Sequence, residues 1–72
     1  MNQLKEVQIV ANGKTFKVKE GIPLSEFLAS INLPIKNVVV EYNYIALSPL
    51  DIKKTVIKNG DTFEIVQIVS GG

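Results

Sequence analysis

The chain has 72 residues, of which 46% are hydrophobic and 21% charged, so it can form one small globular domain with a modest core. Eight lysines and seven acidic residues leave a net charge of +1, and the absence of arginine argues against a nucleic-acid binder, which normally concentrates positive side chains on one face. Cysteine and histidine are also absent, which excludes disulfides, thiol nucleophiles and the usual zinc and iron–sulfur sites.

The N-terminal third of the chain predicts a β-hairpin. Apolar residues recur at every second position over 7–11 and 16–18, which is the period of half-buried strands. Asn12-Gly13 lies between the two segments and tolerates the positive φ angles of a type I′ turn. Glu20-Gly21 is expected to end the second strand.

The next segment predicts a short amphipathic helix. Its apolar residues follow the spacing of one helical face, at Leu24, Phe27, Leu28 and Ile31. Pro23 suits the first turn, and Glu26 places negative charge near the positive end of the helix dipole. Asn32 and Pro34 are expected to end the helix.

The second half of the chain is rich in strand signals. The β-branched run Val38-Val39-Val40, which leads to Tyr42, predicts a strand buried on one face and at least partly covered on the other. Residues 44–46 are expected to form a short strand, 48–51 a turn or one helical turn, and 55–57 a brief edge strand.

The last predicted strand, over 62–68, follows a turn at Asn59-Gly60-Asp61. Phe63 and Ile65 should point to one face of the sheet, whereas Val66 and Ile68 should point to the other. Strands around a single helix indicate an α+β domain in which the helix covers only one sheet face. The opposite face would then expose apolar surface of the kind that often binds a partner.

The final segment, 69–72, ends in Gly71-Gly72. Four extended residues reach about 13 Å, and glycine has no Cβ to obstruct a narrow catalytic channel of another protein. A carboxylate becomes a good electrophile only after activation, and the chain has no phosphate-binding glycine loop, so a separate ATP-using enzyme would be needed. The alternative is that the two glycines are a frayed end or a cloning remnant.

The order of these elements resembles the β-grasp sulfur carriers, and most closely the thiamine-biosynthesis carriers of the ThiS family. The resemblance runs from Val7 to Gly72, and its most diagnostic part is Asn59-Gly60-Asp61 followed by strand 63–69 and Gly71-Gly72. It implies an α+β, ubiquitin-like β-grasp fold, with a mixed sheet of four or five strands packed on one main helix. The fold would be a single domain over 1–72, with 69–72 as a flexible tail.

The resemblance also implies the role of the tail. An adenylyltransferase of the ubiquitin-activating type would use ATP to adenylate Gly72, and a cysteine desulfurase relay would supply sulfur to convert the adenylate into a thiocarboxylate. Thiazole synthase would then accept the sulfur for thiamine biosynthesis. Gly71 and Ser70 would thread the partner's channel, and the chain itself would bind no cofactor and no metal.

The same resemblance assigns partner docking to the surface around Val66, Ile68 and Val69, although these three residues could instead pack in the core. We expect a cytoplasmic protein, because the sequence contains neither a membrane-spanning apolar run nor a signal peptide. We also expect the free protein to be a monomer.

Several other functions remain open from the sequence. A small subunit of molybdopterin synthase would share the fold and the Gly-Gly chemistry but is usually longer, and a protein modifier would share the activation step. A binding module with an incidental Gly-Gly end would differ in class. An enzymatic role is disfavoured, since paired acids such as Asp61 and Glu64 are expected to be solvated surface residues.

Overall fold

The described part of the chain contains five strands and two α-helices. A computed structural model describes residues 5–33 and 35–68. The elements follow in the order β1 (Glu6–Ala11), β2 (Lys14–Lys19), α1 (Leu24–Ser30), β3 (Val38–Tyr42), β4 (Ile45–Leu47), α2 (Pro49–Lys54) and β5 (Thr62–Gln67). A 3-10 turn precedes β3. Within the described residues, neither helix has the length and apolar character needed to cross a membrane.

All five strands form one mixed sheet in the order β2-β1-β5-β3-β4. The first and last strands of the chain, β1 and β5, lie parallel at its centre, and the remaining neighbours are antiparallel. This arrangement confirms the predicted α+β, β-grasp architecture.

Both helices contribute to a core on one side of the sheet. Phe27 of α1 meets Phe16 of β2 edge to face, with ring centroids 5.2 Å apart, and Ile52 of α2 is 1% exposed. Burial of these apolar groups is the main force that holds the helices on the sheet. Among residues 5–33 and 35–68, twelve apolar residues form the buried core: Val7, Ile9, Ala11, Leu24, Phe27, Leu28, Val38, Val40, Ile52, Ile57, Phe63 and Ile65.

The hairpin and the first helix have local causes that are visible in the sequence. Asn12 and Gly13 adopt φ angles of 53° and 78°, which confirms the predicted turn. Pro23 lies at the N-cap of α1 in extended conformation, one position before the first turn that was predicted for it. Asn32 has a φ of 64° and ends the helix, while Pro34 lies outside the described residues.

Two of the three predictions for residues 44–57 need correction. The short strand is β4, one residue later than predicted, because Asn43 and Tyr44 form the β3–β4 turn with φ angles of 47° and 73°. Of the turn or single helical turn expected at 48–51, the helical alternative is the one observed: the segment is the start of helix α2, which Ser48 and Asp51 stabilise through a capping box.

The expected edge strand at 55–57 does not join the sheet. It forms an isolated antiparallel bridge between Val56 and Pro23, flanked by backbone hydrogen bonds from Leu24 to Thr55 of 2.8 Å and from Ile57 to Ile22 of 2.9 Å. The segment therefore ties the start of α1 to the chain that follows α2.

Candidate functional site

The sheet face opposite the helices carries exposed apolar and acidic side chains. We call this the outer sheet face and define it by Val39 and Glu41 of β3 together with Glu64, Val66 and Ile68 at β5. The exposed fractions are 43% for Val39, 61% for Val66 and 53% for Ile68. An apolar group of this kind on a small protein is a candidate surface for a partner.

The alternation along β5 decides which residues reach this face. Phe63 and Ile65 are buried beneath the helices, whereas Val66 and Ile68 point to the open side, as the sequence predicted. The alternative prediction, that Val66 and Ile68 pack in the core, is wrong for both residues. The second face of β3 was predicted to be at least partly covered, and Val39 on that face is 43% exposed.

Asn12 fixes the centre of β5 through its side chain. Its Oδ1 accepts a hydrogen bond of 2.6 Å from the Ile65 N–H, and its Nδ2 donates one of 3.0 Å to the Ile65 carbonyl. Strand β1 ends at Ala11, so the amide of Asn12 takes the place of a further strand residue beside β5. The sequence predicted Asn12 only as a turn residue, and its second role was missed.

Strand β3 and Asn37, the residue that precedes β3, hold the end of β5. Val38 lies opposite Gln67, and the Ile68 N–H donates a 2.7 Å hydrogen bond to the Asn37 carbonyl. The backbone is thus anchored up to Ile68, directly before the segment predicted to carry the chemistry.

Asp61 anchors the other end of β5 and is buried rather than solvated. It is 6% exposed, and its Oδ2 accepts hydrogen bonds from the Tyr42 hydroxyl at 3.0 Å and from the Lys58 N–H at 2.7 Å. The prediction of a surface role for Asp61 is therefore wrong, whereas Glu64 is exposed as expected. A carboxylate can be buried here because both contacts are hydrogen-bond donors.

The turn around Asp61 also joins β1. The Val10 N–H donates to the Asp61 carbonyl at 2.9 Å, the Gly60 N–H donates to the Gln8 carbonyl at 2.8 Å, and the Gln8 N–H donates to the Asn59 side chain at 2.9 Å. Gly60 adopts a φ of 86°, which glycine tolerates best. Each residue of Asn59-Gly60-Asp61 therefore helps to fix the position of β5.

Tyr42 links this turn to the core. Its ring stacks on Phe63 with centroids 5.0 Å apart. Burial raises the pKa of the Tyr42 phenol above its usual 10.0, and the hydrogen bond to Asp61 and the negative charge of that carboxylate raise it further. The phenol is thus held in its protonated, donating form.

The remaining predicted site residues, Val69, Ser70, Gly71 and Gly72, lie outside the described residues. The roles predicted for them, and the docking role of Val66 and Ile68, stay predictions. Residues 5–33 and 35–68 contain no group of three carboxylate side chains placed to hold a metal ion.

Comparisons with known proteins support one family. The sequence model of the ThiS family matches residues 2–72. A crystal structure of the thiamine biosynthesis protein ThiS from Geobacter metallireducens superposes with a TM-score of 0.75 and 28% identity, over 92% of this chain and all of that one.

A solution NMR structure of a thiamine biosynthesis protein from the same organism gives a TM-score of 0.73 and 26% identity, over 92% of this chain and 88% of the other. No curated protein sequence matches this chain.

Proposed function

Because the chain belongs to the ThiS family, we propose that it is a sulfur carrier that delivers sulfur as a thiocarboxylate on Gly72 for thiazole formation in thiamine biosynthesis. The observation that carries the proposal is the family match, which extends through the Gly71-Gly72 pair to residue 72. The likeness to thiamine biosynthesis proteins over 92% of the chain supports the choice of pathway.

The first chemical step is activation of the carboxylate. A carboxylate oxygen of Gly72 attacks the α-phosphorus of ATP, the bond to the β-phosphate oxygen breaks, and pyrophosphate leaves. The product is an acyl-adenylate whose AMP is a good leaving group. ATP and its magnesium would be held by a ubiquitin-activating-type adenylyltransferase, because this chain has no phosphate-binding glycine loop.

The second step introduces sulfur. Sulfide, derived from cysteine by a cysteine desulfurase relay and a thiol reductant, attacks the acyl carbon, and AMP leaves with the electron pair of the carbon–oxygen bond. The resulting thiocarboxylate is the form that a thiazole synthase would accept. No general base or nucleophile of the carrier is required beyond the carboxylate itself, which fits a non-enzymatic role.

The structure supports the carrier role through the position of the outer sheet face. Ile68 is anchored by the hydrogen bond to Asn37, and four extended residues beyond it reach about 13 Å. A partner that contacts Val66 and Ile68 could therefore hold the folded domain while the carboxylate lies in its active site. We propose that Val66, Ile68 and Val69 dock on the partner, with Ser70 and Gly71 crossing to the active site.

The activation step is tested by carrier-dependent exchange of labelled pyrophosphate into ATP, catalysed by the adenylyltransferase of the same organism. We expect exchange with the full chain and none with a chain that lacks Gly72. A matched Ser30→Ala variant, changed on α1 instead, should support exchange like the full chain. Equal exchange with and without Gly72 would rule out adenylation at that residue.

A further inference from the structure

Two glutamates lie opposite each other at one end of the outer sheet face. Glu41 of β3 is in register with Glu64 of β5. The hydrogen bonds from Asn43 to the Thr62 carbonyl and from Ile68 to the Asn37 carbonyl mark alternate pairs of this ladder, so Glu41 and Glu64 form a hydrogen-bonded pair. The Cα atoms of such a pair are about 5.5 Å apart.

Like charges directly opposite each other destabilise an antiparallel pair of strands. On the other side of Glu41, the register places Ala46 of β4 rather than a cation. The same sheet contains the favourable arrangement elsewhere, since Glu6 of β1 is in register with Lys19 of β2. In the β3–β5 ladder, by contrast, Glu41 and Glu64 place two like charges opposite each other.

The acidic pair borders the apolar part of the outer sheet face. The next pair in the same ladder on this side is Val39 with Val66, and both side chains are exposed. Protein interfaces commonly combine an apolar centre with a polar rim, and opposite charges across the rim set specificity and association rate. A cation supplied by a partner would turn the repulsion between Glu41 and Glu64 into attraction.

We infer that Glu41 and Glu64 together bind a basic side chain, arginine or lysine, on the surface of the adenylyltransferase, next to an apolar surface that covers Val39 and Val66. An arginine could bridge the two carboxylates with separate N–H groups. This inference rests on the proposed function. It adds that the partner's surface is basic at this point and that Glu41 and Glu64 recognise it.

The test is the carrier concentration dependence of pyrophosphate exchange for the double variant Glu41→Gln/Glu64→Gln. Loss of the charge pairing should raise KM for the carrier about tenfold, leave kcat nearly unchanged and weaken the increase of KM with NaCl concentration. The control Glu20→Gln/Glu26→Gln has the same net charge but is changed outside the outer sheet face, and it should match the wild type in KM and in salt dependence.

Thermal unfolding separates recognition from folding. Removal of the like-charge pair should raise the Tm of Glu41→Gln/Glu64→Gln by about 1–4 °C, so weaker binding would accompany greater stability. An unchanged KM and salt dependence in this variant, with normal exchange by the wild type, would overturn the inference alone. A complete lack of exchange by the wild type would overturn the proposed function and the inference with it.

Discussion

Two polar side chains, those of Asn12 and Asp61, anchor β5 at two points. Asn12 bonds both backbone groups of Ile65 at one point of the strand, and Asp61 joins Tyr42 and the Lys58 N–H at the start of it. Buried or half-buried polar groups of this kind are costly to leave without a partner. They hold the strand from which the tail departs.

Substitution of Asn12 by glycine isolates the contribution of its side chain. Glycine accepts the φ of 53°, so the two hydrogen bonds to Ile65 are lost without new backbone strain. We expect the free energy of unfolding in urea to fall by about 1–3 kcal/mol. Asn32→Gly, at a φ of 64° after α1, is the control and should be neutral or slightly stabilising; equal losses in both variants would contradict the role of Asn12.

The phenol of Tyr42 should titrate above pH 10. In Tyr44→Phe, Tyr42 is the sole tyrosine, so the ultraviolet absorbance of tyrosinate reports its pKa alone. Because the folded pKa lies above the unfolded value, the stability linked to this proton is fully present below pH 10 and is lost as the pH rises through the folded pKa. A midpoint at or below 10 would show that burial and Asp61 do not act on this phenol.

Removal of the same hydroxyl gives a second measure of the contact. Tyr42→Phe keeps the stacking on Phe63 and should lower the free energy of unfolding by about 1 kcal/mol at neutral pH. Its alkaline loss of stability should be smaller than that of Tyr44→Phe, whose substituted ring is 83% exposed.

The strands and helix with strong local signals were predicted well. The hairpin, α1 and β5 all have a clear hydrophobic period bounded by turn residues, and the structure places them within about one or two residues of the expected ends. The segment 44–57 was predicted less well, because an aromatic residue in a positive-φ turn and a six-residue helix leave no periodic pattern.

The candidate site could be predicted only in part. The alternation in β5 shows that Val66 and Ile68 share a face, but the sequence does not tell which strands lie beside them. Glu41 lies opposite Glu64 because β3 pairs with β5. The hydrogen bonds from the Asn12 side chain to Ile65 depend on the parallel pairing of β1 with β5. Such long-range registers follow from packing of the whole sheet.

Helix α2 has six residues and is too short to be stable alone, and its capping box stabilises it. Ser48→Ala removes the acceptor of the Asp51 N–H bond, which measures 3.1 Å, and should cost about 0.5–2 kcal/mol in unfolding free energy. The control is Ser25→Ala, inside α1, which introduces a good helix former. It should change the free energy of unfolding by less than about 0.5 kcal/mol. A similar small effect of both variants would mean that α2 does not depend on its cap.

Over the described residues, helices pack against only one face of the sheet. Two helices cover one face, and the other presents Val39, Val66 and Ile68 beside two glutamates. If the outer sheet face docks the adenylyltransferase, Val66→Asp should raise KM for the carrier in pyrophosphate exchange about 5- to 150-fold, which corresponds to the ~1–3 kcal/mol that a central interface residue contributes.

The matched control for that variant is Val56→Asp. Val56 is 46% exposed and lies in the isolated bridge outside the sheet, so the same change there should leave KM as in the wild type. Neither substitution removes a buried core side chain, so both proteins should stay folded. Equal KM values for the two variants would exclude the outer sheet face as the docking surface.

The most direct measurement of the carrier function is the intact mass of the protein after incubation with ATP, the adenylyltransferase, a cysteine desulfurase, cysteine and a thiol reductant. We predict a mass gain equal to the exchange of one oxygen atom for sulfur, dependent on ATP and absent from the chain that lacks Gly72. An unchanged mass, under conditions in which the same enzymes load sulfur onto a ThiS protein of known activity, would contradict the proposal that this chain carries sulfur on Gly72.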